Sequence, residues 1–358
     1  MNLRGPVLSR ISRIVKCFHD IGVAARSVHA VAALIPTSGS LLPGHPIPAG
    51  DFRFARRLHI ILSPDSTSGR DDMSQQIAER VKDTGRNKGI GSDRALARYA
   101  QEGVLRRMKA AFGDRVVLKG ALLFLVENGN EHRPTMDADL HFHDGLDDAV
   151  ARIRYALAAD LVDGLRYEVT KVIQAEHNEE PGYGLPLAAW VGKTKIDTKV
   201  DVGFGGRRPR GVVEKTFPSL LKGAEPLTIA CLPWPNVAAE KIHAIQSHGV
   251  RNTRMKDFHD IAIIKEGLDP DAVARAMVRT WEDRHTELPT DLLPGLTIDY
   301  ADSMQKVWEG FVKRSKLEGK APAQFAEVTY RIRPWVEDVL ERARVLSREA
   351  APRVPSIA

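Results

Sequence analysis

Apolar residues recur every three or four positions through 73–84 and 92–111, which predicts two helices. Leu96, Tyr99, Ala100, Val104, Leu105 and Met108 share the apolar side of the second, and Asp93 is its expected cap. Arg115 to Leu118 reads as a short strand. Gly120 then marks a turn into a helix over 121–126, closed by Asn128-Gly-Asn130. Strands are expected at 139–143, 165–175, 187–192 and 227–232, with a helix over 145–160. The clearest alternation runs through 194–204. Ile196, Thr198, Val200, Val202 and Phe204 face one way, and Lys195, Asp197, Lys199 and Asp201 the other. Beyond it the period is helical: Asn236, as cap, to His248, then Met255 to Glu266 closed by Gly267, then 270–284, 301–315 and 322–347. Strands mixed with helices, followed by helices alone, predict an α/β (α+β) chain with a mixed sheet and a helical C-terminal part.

The first 72 residues break this pattern. Nine Lys/Arg stand there against five Asp/Glu, whereas residues 73–358 hold 43 against 41. The basic excess therefore sits mostly outside the patterned body and says little about nucleic-acid binding. Ile11, Ile14, Val15, Phe18 and Ile21 allow a weak amphipathic helix over 9–35, and four prolines follow between Pro36 and Pro48. The reading is a poorly structured leader over 1–72, not part of the functional protein, with the working chain starting near Met73. Residues 73–235 would form a domain built on the sheet and 236–350 a helical C-terminal domain that completes its site. Two cysteines, Cys17 and Cys231, exclude a disulfide scaffold and a cysteine zinc site, and suit a reducing cytoplasm. No run of about 18 apolar residues exists, so no membrane partner is expected.

Chemistry concentrates in Asp137 and Asp139, two apart at the head of an apolar strand. On an extended chain such residues point to the same side. Paired carboxylates suit Mg²⁺, and two ions about 4 Å apart clamp the attacking and leaving oxygens of a phosphoryl displacement. Asp201, on the charged face of 194–204, is the candidate third carboxylate. Gly120 between strand and helix would let backbone N–H groups approach a phosphate. Asp-x-Asp alone is common by chance; the order strand, Gly turn, helix, Asp-x-Asp strand and later lone Asp is the layout of the nucleotidyltransferase fold. Further on, Lys241 would sit on the flank of its helix, reaching a triphosphate as a point charge, with Asp257 or Asp260 orienting it or a neighbouring arginine. His141 and His143 alternate on a strand beside Asp144, but no third zinc ligand accompanies them. The basic loop Gly205 to Arg210 would either contact RNA backbone or simply be solvated.

These motifs together resemble the nucleotidyltransferase AbiEii/AbiGii toxin family, the toxin half of AbiE-type toxin–antitoxin pairs. The resemblance rests on Tyr99-Ala-Gln-Glu102, Val117-Leu-Lys-Gly120, Arg133-Pro-Thr-Met-Asp-Ala-Asp-Leu140, Lys199-Val-Asp201, Ala239-Glu-Lys-Ile-His-Ala244, Lys256-Asp-Phe-His-Asp-Ile261 and Trp308-Glu-Gly-Phe-Val312. It implies a nucleotidyltransferase-fold sheet and transfer of a nucleotidyl group from an NTP, with Mg²⁺, in some members onto a tRNA end. It also implies a cognate AbiEi-like antitoxin as partner. By the same resemblance Asp137, Asp139 and Asp201 are metal ligands and catalytic, with Lys241 and Asp257. Lys119, Gly120, Arg133, Lys199 and Asp260 would bind the nucleotide. Two positions depart from the family pattern. Ala121 stands where a second Gly, or in related transferases a phosphate-touching Ser, is usual, and Lys256 stands for an Arg. They support one alternative, a degenerate nucleotide- or partner-binding module; a metal-dependent phosphohydrolase using the same acids is another.

Overall fold

The α/β pattern is realised as a mixed sheet with helices on its faces and a helical C-terminal part. The structure, a computed structural model, describes residues 66–128, 133–143, 147–174, 182–205 and 208–350. The expected leader helix over 9–35 and Cys17 lie outside the described residues. Residues Asp71–Ala358 form one compact unit, and the account below concerns that unit.

Helix α1 (Ser66–Asn87) starts earlier than its apolar period suggests, and α2 (Ser92–Phe112) follows after a glycine-containing turn. Gly91 occupies the N-cap of α2, so Asp93 supplies first-turn negative charge and not a cap bond. Then come β1 (Val116–Lys119), α3 (Leu122–Asn128), β2 (Asp137–Phe142) and α4 (Ala149–Leu157). Strands β3 (Leu165–Val169), β4 (Ile173–Gln174), β5 (Gly182–Val191) and β6 (Thr194–Phe204) are followed by β7 (Val213–Phe217) and β8 (Leu227–Cys231). The sheet order is β3-β5-β6-β2-β1-β8-β7, with β4 beside β5.

Two features of the sheet escape the hydrophobic pattern. Strand β5 extends back to Gly182 because Gly182, Gly184 and Pro186 still pair with β6, although all three are poor strand formers. Strand β7 is an edge strand with one neighbour and buries only Phe217, so Glu214 and Lys215 leave no apolar alternation to read.

Register assigns the two faces. Leu118 lies opposite Leu140, Ala138 opposite Val200, and Leu140 opposite Val202. These residues are buried under α2, where Phe112 meets Phe142 edge to face at 5.0 Å. The other face of the same three strands carries Lys119, Asp137, Asp139, Lys199 and Asp201.

The C-terminal part comprises α5 (Trp234–His248), α6 (Met255–Ile264), α7 (Pro270–Asp283), α8 (Ile298–Ser303), α9 (Gln305–Arg314) and α10 (Phe325–Ala350). Pro233 is the N-cap of α5, so Asn236 falls inside the first turn and does not cap it. The single helix expected over 301–315 is two, broken at Met304. Phe258, Tyr300, Trp308 and Phe325 make a ring cluster, with Phe258 and Phe325 at 5.1 Å and Trp308 and Phe325 at 5.3 Å. Tyr300 turns its hydroxyl out of that cluster to donate to the Asn252 carbonyl at 2.6 Å. No helix among the described residues is long and apolar enough to cross a membrane.

A buried arginine ties α2 to the sheet edge. Arg107, whose side chain is fully buried, donates to both carboxylate oxygens of Asp163, at 2.6 and 2.9 Å. It also donates to the carbonyls of Gly103, Ala159 and Leu165 and lies over the Tyr167 ring. Arg107→Ala removes every one of these partners and leaves Asp163 without its counter-ion. Breaking a buried pair in this way costs about 3–5 kcal/mol. Thermal unfolding of Arg107→Ala is expected to show a Tm lower by at least about 6 °C; an unchanged Tm would show that the pair does not hold the helix to the sheet.

Candidate active site

On the open face of the sheet, parallel pairing of β2 with β6 sets Asp139 directly opposite Asp201, and Asp137 opposite Lys199. Adjacent strands lie about 4.8 Å apart, so the two backbones hold these carboxylates as neighbours whatever the side chains do. Lys119 on β1 is the register partner of Asp139 on the other side and reaches Glu240 of α5 at 3.8 Å. Lys199 donates to Asp201 at 2.7 Å. Burial pushes the Asp201 carboxyl above its ordinary range; Lys199 opposes that, and the Asp139 and Asp137 charges reinforce it.

Glycines make room around the acids. Gly120 has φ +72°, and a Cβ there would come within 1.9 Å of an Asp139 carboxylate oxygen. The glycine between β1 and α3 is therefore required by Asp139 itself, which folds against the turn. Gly184, opposite Asp201 on β5, leaves space that a Cβ would fill at 3.1 Å from the Asp201 carboxylate. Residue 184 was not a candidate in the sequence, although Gly182-x-Gly184 at strand period was its signal.

A buried ion network stands beside the acids. Lys241 Nζ donates to Asp257 at 2.9 Å and to Asp260 at 2.8 Å. Arg133, on the segment leading into β2, donates through Nε and a terminal nitrogen to both oxygens of Asp260, at 2.9 and 3.0 Å. Arg254 donates from Nε to the second oxygen of Asp257 at 2.8 Å. Asp257 and Asp260 are almost wholly buried. Burial alone would raise both carboxyls, but Lys241 and Arg254 together hold Asp257 below its ordinary range, and Lys241 and Arg133 together hold Asp260 well below it. Lys241 was expected on an open flank; only 12% of its side chain is exposed, and its ammonium is enclosed by the two aspartates. Their spacing at i and i+3 on α6 lets both carboxylates meet one ammonium.

The candidate residues thus fall into two groups bridged by Arg133 and Arg254. Arg133 spans from the approach to β2 to α6, and both arginines feel the Asp139 charge. Asp137, Asp139 and Asp201 offer only carboxylate oxygens, the donor type that Mg²⁺ takes, and their mutual repulsion is the kind a cation relieves. In this conformation no three His, Cys, Asp or Glu side chains among the described residues close on a single point, and the Lys199 ammonium lies against Asp201. His141 and His143 are buried, and Asp144 lies outside the described residues, as do Gly206 and Arg207 of the basic loop.

The sequence model of the nucleotidyl transferase AbiEii toxin family, of a type IV toxin–antitoxin system, matches residues 103–341. Among solved structures, MenT4, a nucleotidyltransferase toxin from Mycobacterium tuberculosis, is 19% identical with a TM-score of 0.42, covering 70% of this chain and 94% of its own. JHP933 from Helicobacter pylori is 12% identical with a TM-score of 0.40, covering 72% of this chain and 95% of its own. No protein of curated function matches the chain. The family match takes in well over half of the chain and every carboxylate and cation of the two groups above, and the chain belongs to the AbiEii nucleotidyltransferase toxin family.

Proposed function

We propose that the protein transfers a nucleotidyl group from an NTP to a hydroxyl at the end of an RNA, with tRNA as acceptor, and that Asp137, Asp139 and Asp201 hold the Mg²⁺ this needs. The observation that carries the reading is the pairing of Asp139 with Asp201 across parallel strands, beside a cationic network built from Arg133, Lys241 and Arg254. Bound there, Mg²⁺ would supply Lewis-acid stabilisation of the attacking and leaving oxygens. Lys199 neutralises part of the acid cluster before substrate arrives and gives way as cations enter. The network supplies fixed positive potential toward the triphosphate. Its three cations face two carboxylates, which leaves one positive charge in a largely dry setting where it acts strongly. Asp257 and Asp260 orient those cations; being buried and fully engaged, they support the nucleotide site from behind. Residues 236–350, on this reading, complete the nucleotide site begun by residues 73–235. The family's toxin–antitoxin character supports a cognate antitoxin as the protein's partner.

The intact mass of tRNA incubated with protein, Mg²⁺ and each NTP in turn checks the reading. The expected result is an increase by one or more nucleotidyl residues with a preferred NTP, and its loss by at least about a hundredfold in Asp139→Asn, which keeps shape but removes the charge. NTP binding without any mass gain would favour the binding module. Release of phosphate without a mass gain would favour the phosphohydrolase.

Lys241→Met tests the network separately. It strands two buried carboxylates against Arg133 and Arg254 alone, so stability is expected to fall by about 3 kcal/mol and the Tm by at least about 6 °C. Turnover at saturating NTP is expected to fall by more than about tenfold in the same variant at a temperature where it is folded. An unchanged Tm would place the lysine outside the buried network.

A further inference from the structure

The network raises a question of reach: which of its cations can touch a substrate. Lys241 already gives two of its three N–H bonds to Asp257 and Asp260, and its side chain is 12% exposed. Arg133 has Nε and one terminal nitrogen on Asp260 and is 9% exposed. Lys199 and Lys119 lie against Asp201 and Glu240. Arg254 differs from all of these. Its side chain is 45% exposed, and it is held only from the back, through Nε, by Asp257. The edge between its two terminal nitrogens, with two N–H bonds side by side in the guanidinium plane, is turned from that contact.

Its base is fixed as firmly as its tip is free. The buried Asn252 side chain accepts the Arg254 backbone N–H at 2.8 Å, and the Arg254 carbonyl accepts the Asp257 N–H at 2.9 Å. Tyr300 in turn holds the Asn252 carbonyl. A residue just ahead of α6 is thus clamped by backbone, by a buried amide and by a buried carboxylate, while its guanidinium edge stays open. Asp257 first, and then Asp139 and Asp201, strengthen its positive charge, so it lies within electrostatic reach of the acid pair.

We infer that Arg254 is the side chain that grips the triphosphate of the incoming NTP, and that Lys241 acts at one remove as a positioning residue. The inference rests on the nucleotidyltransfer reading above and names the residue that contacts the substrate within it. A pre-oriented guanidinium edge suits two phosphate oxygens at once, which a buried, doubly bonded ammonium cannot match.

The test is calorimetric titration of wild type, Arg254→Ala, Arg254→Gln and Arg254→Lys with Mg²⁺ and an α,β-methylene NTP analogue, and with the matching NMP. Glutamine keeps a donor for Asp257 and replaces the alanine variant if that does not fold. Loss of a charge-assisted phosphate contact is worth about tenfold in affinity. The analogue is therefore expected to bind at least about fivefold more weakly to the alanine and glutamine variants, with NMP affinity changed less than about twofold. Lysine is expected to restore only part of the loss, because it lacks the paired N–H edge. A smaller loss for the analogue, or an equal loss for analogue and NMP, overturns the inference. If wild type modifies RNA while Arg254→Gln binds the analogue normally, this inference fails and the functional reading stands. If wild type binds the analogue through Arg254 but modifies no RNA, the functional reading fails and this one stands.

Discussion

The parallel register of β2 with β6 is the constraint on which the site depends. It brings Asp139 to Asp201 and Asp137 to Lys199, and it sends Ala138, Leu140, Val200 and Val202 to the opposite, buried face. A slip of β2 by one residue would put Asp137 and Asp139 under α2 and turn Ala138 and Leu140 out of the core. The apolar face therefore selects the register, and the register assembles the acids. The placing of the acids here is a by-product of core packing, since the same alternation serves both faces. Gly120 and Gly184 are the local concessions, each removing a Cβ where an aspartate must lie.

The acid cluster needs compensation, and the chain supplies it at two depths. Lys199 answers Asp201 at the surface of the cluster, where its side chain is partly solvated. Deeper, Lys241 and Arg133, with the half-exposed Arg254 at the rim, answer Asp257 and Asp260, which burial would otherwise drive toward neutrality. The second arrangement ties the segment entering β2 to α5 and α6 through side chains from three parts of the sequence. Buried ion pairs add little net stability over an apolar packing of the same volume. Their presence makes sense as a device for holding several charges in fixed positions beside the acids.

Much of this could be read from the residues alone. The alternation of 194–204 gave the strand, its two faces and the place of Asp201, because the period of two is strict and one face carries no charge. Helix α2 and the apolar stripe of α5 were legible for the same reason at helical period. The spacing of Asp257 and Asp260 suggested that one or the other would orient Lys241 or a neighbouring arginine; that both meet the one lysine was not legible. What stayed hidden depends on partners distant in sequence. Strand β7 is stabilised by one neighbour and shows no pattern of its own. The burial of Lys241 follows from two aspartates more than a dozen residues away, not from its own helix face. The start of β5 was masked by glycines whose reason is the carboxylate across the strand.

The two departures from the family pattern can now be weighed physically. Ala121 is buried in the turn between β1 and α3, directly after the glycine that Asp139 requires. A methyl group there neither crowds the acids nor replaces any hydrogen bond that Asp139 or Asp201 makes. Lys256 lies one residue before Asp257, but the arginine bonded to that aspartate is Arg254, one turn earlier at i and i+3. An arginine–aspartate pair is therefore present here, through Arg254. A module decaying toward simple binding would shed its buried charges first, because each is costly without the others. Here Lys241, Arg133, Asp257 and Asp260 remain largely buried and mutually satisfied, and the acids beside them keep their register. That coherence favours a working transferase over a degenerate one.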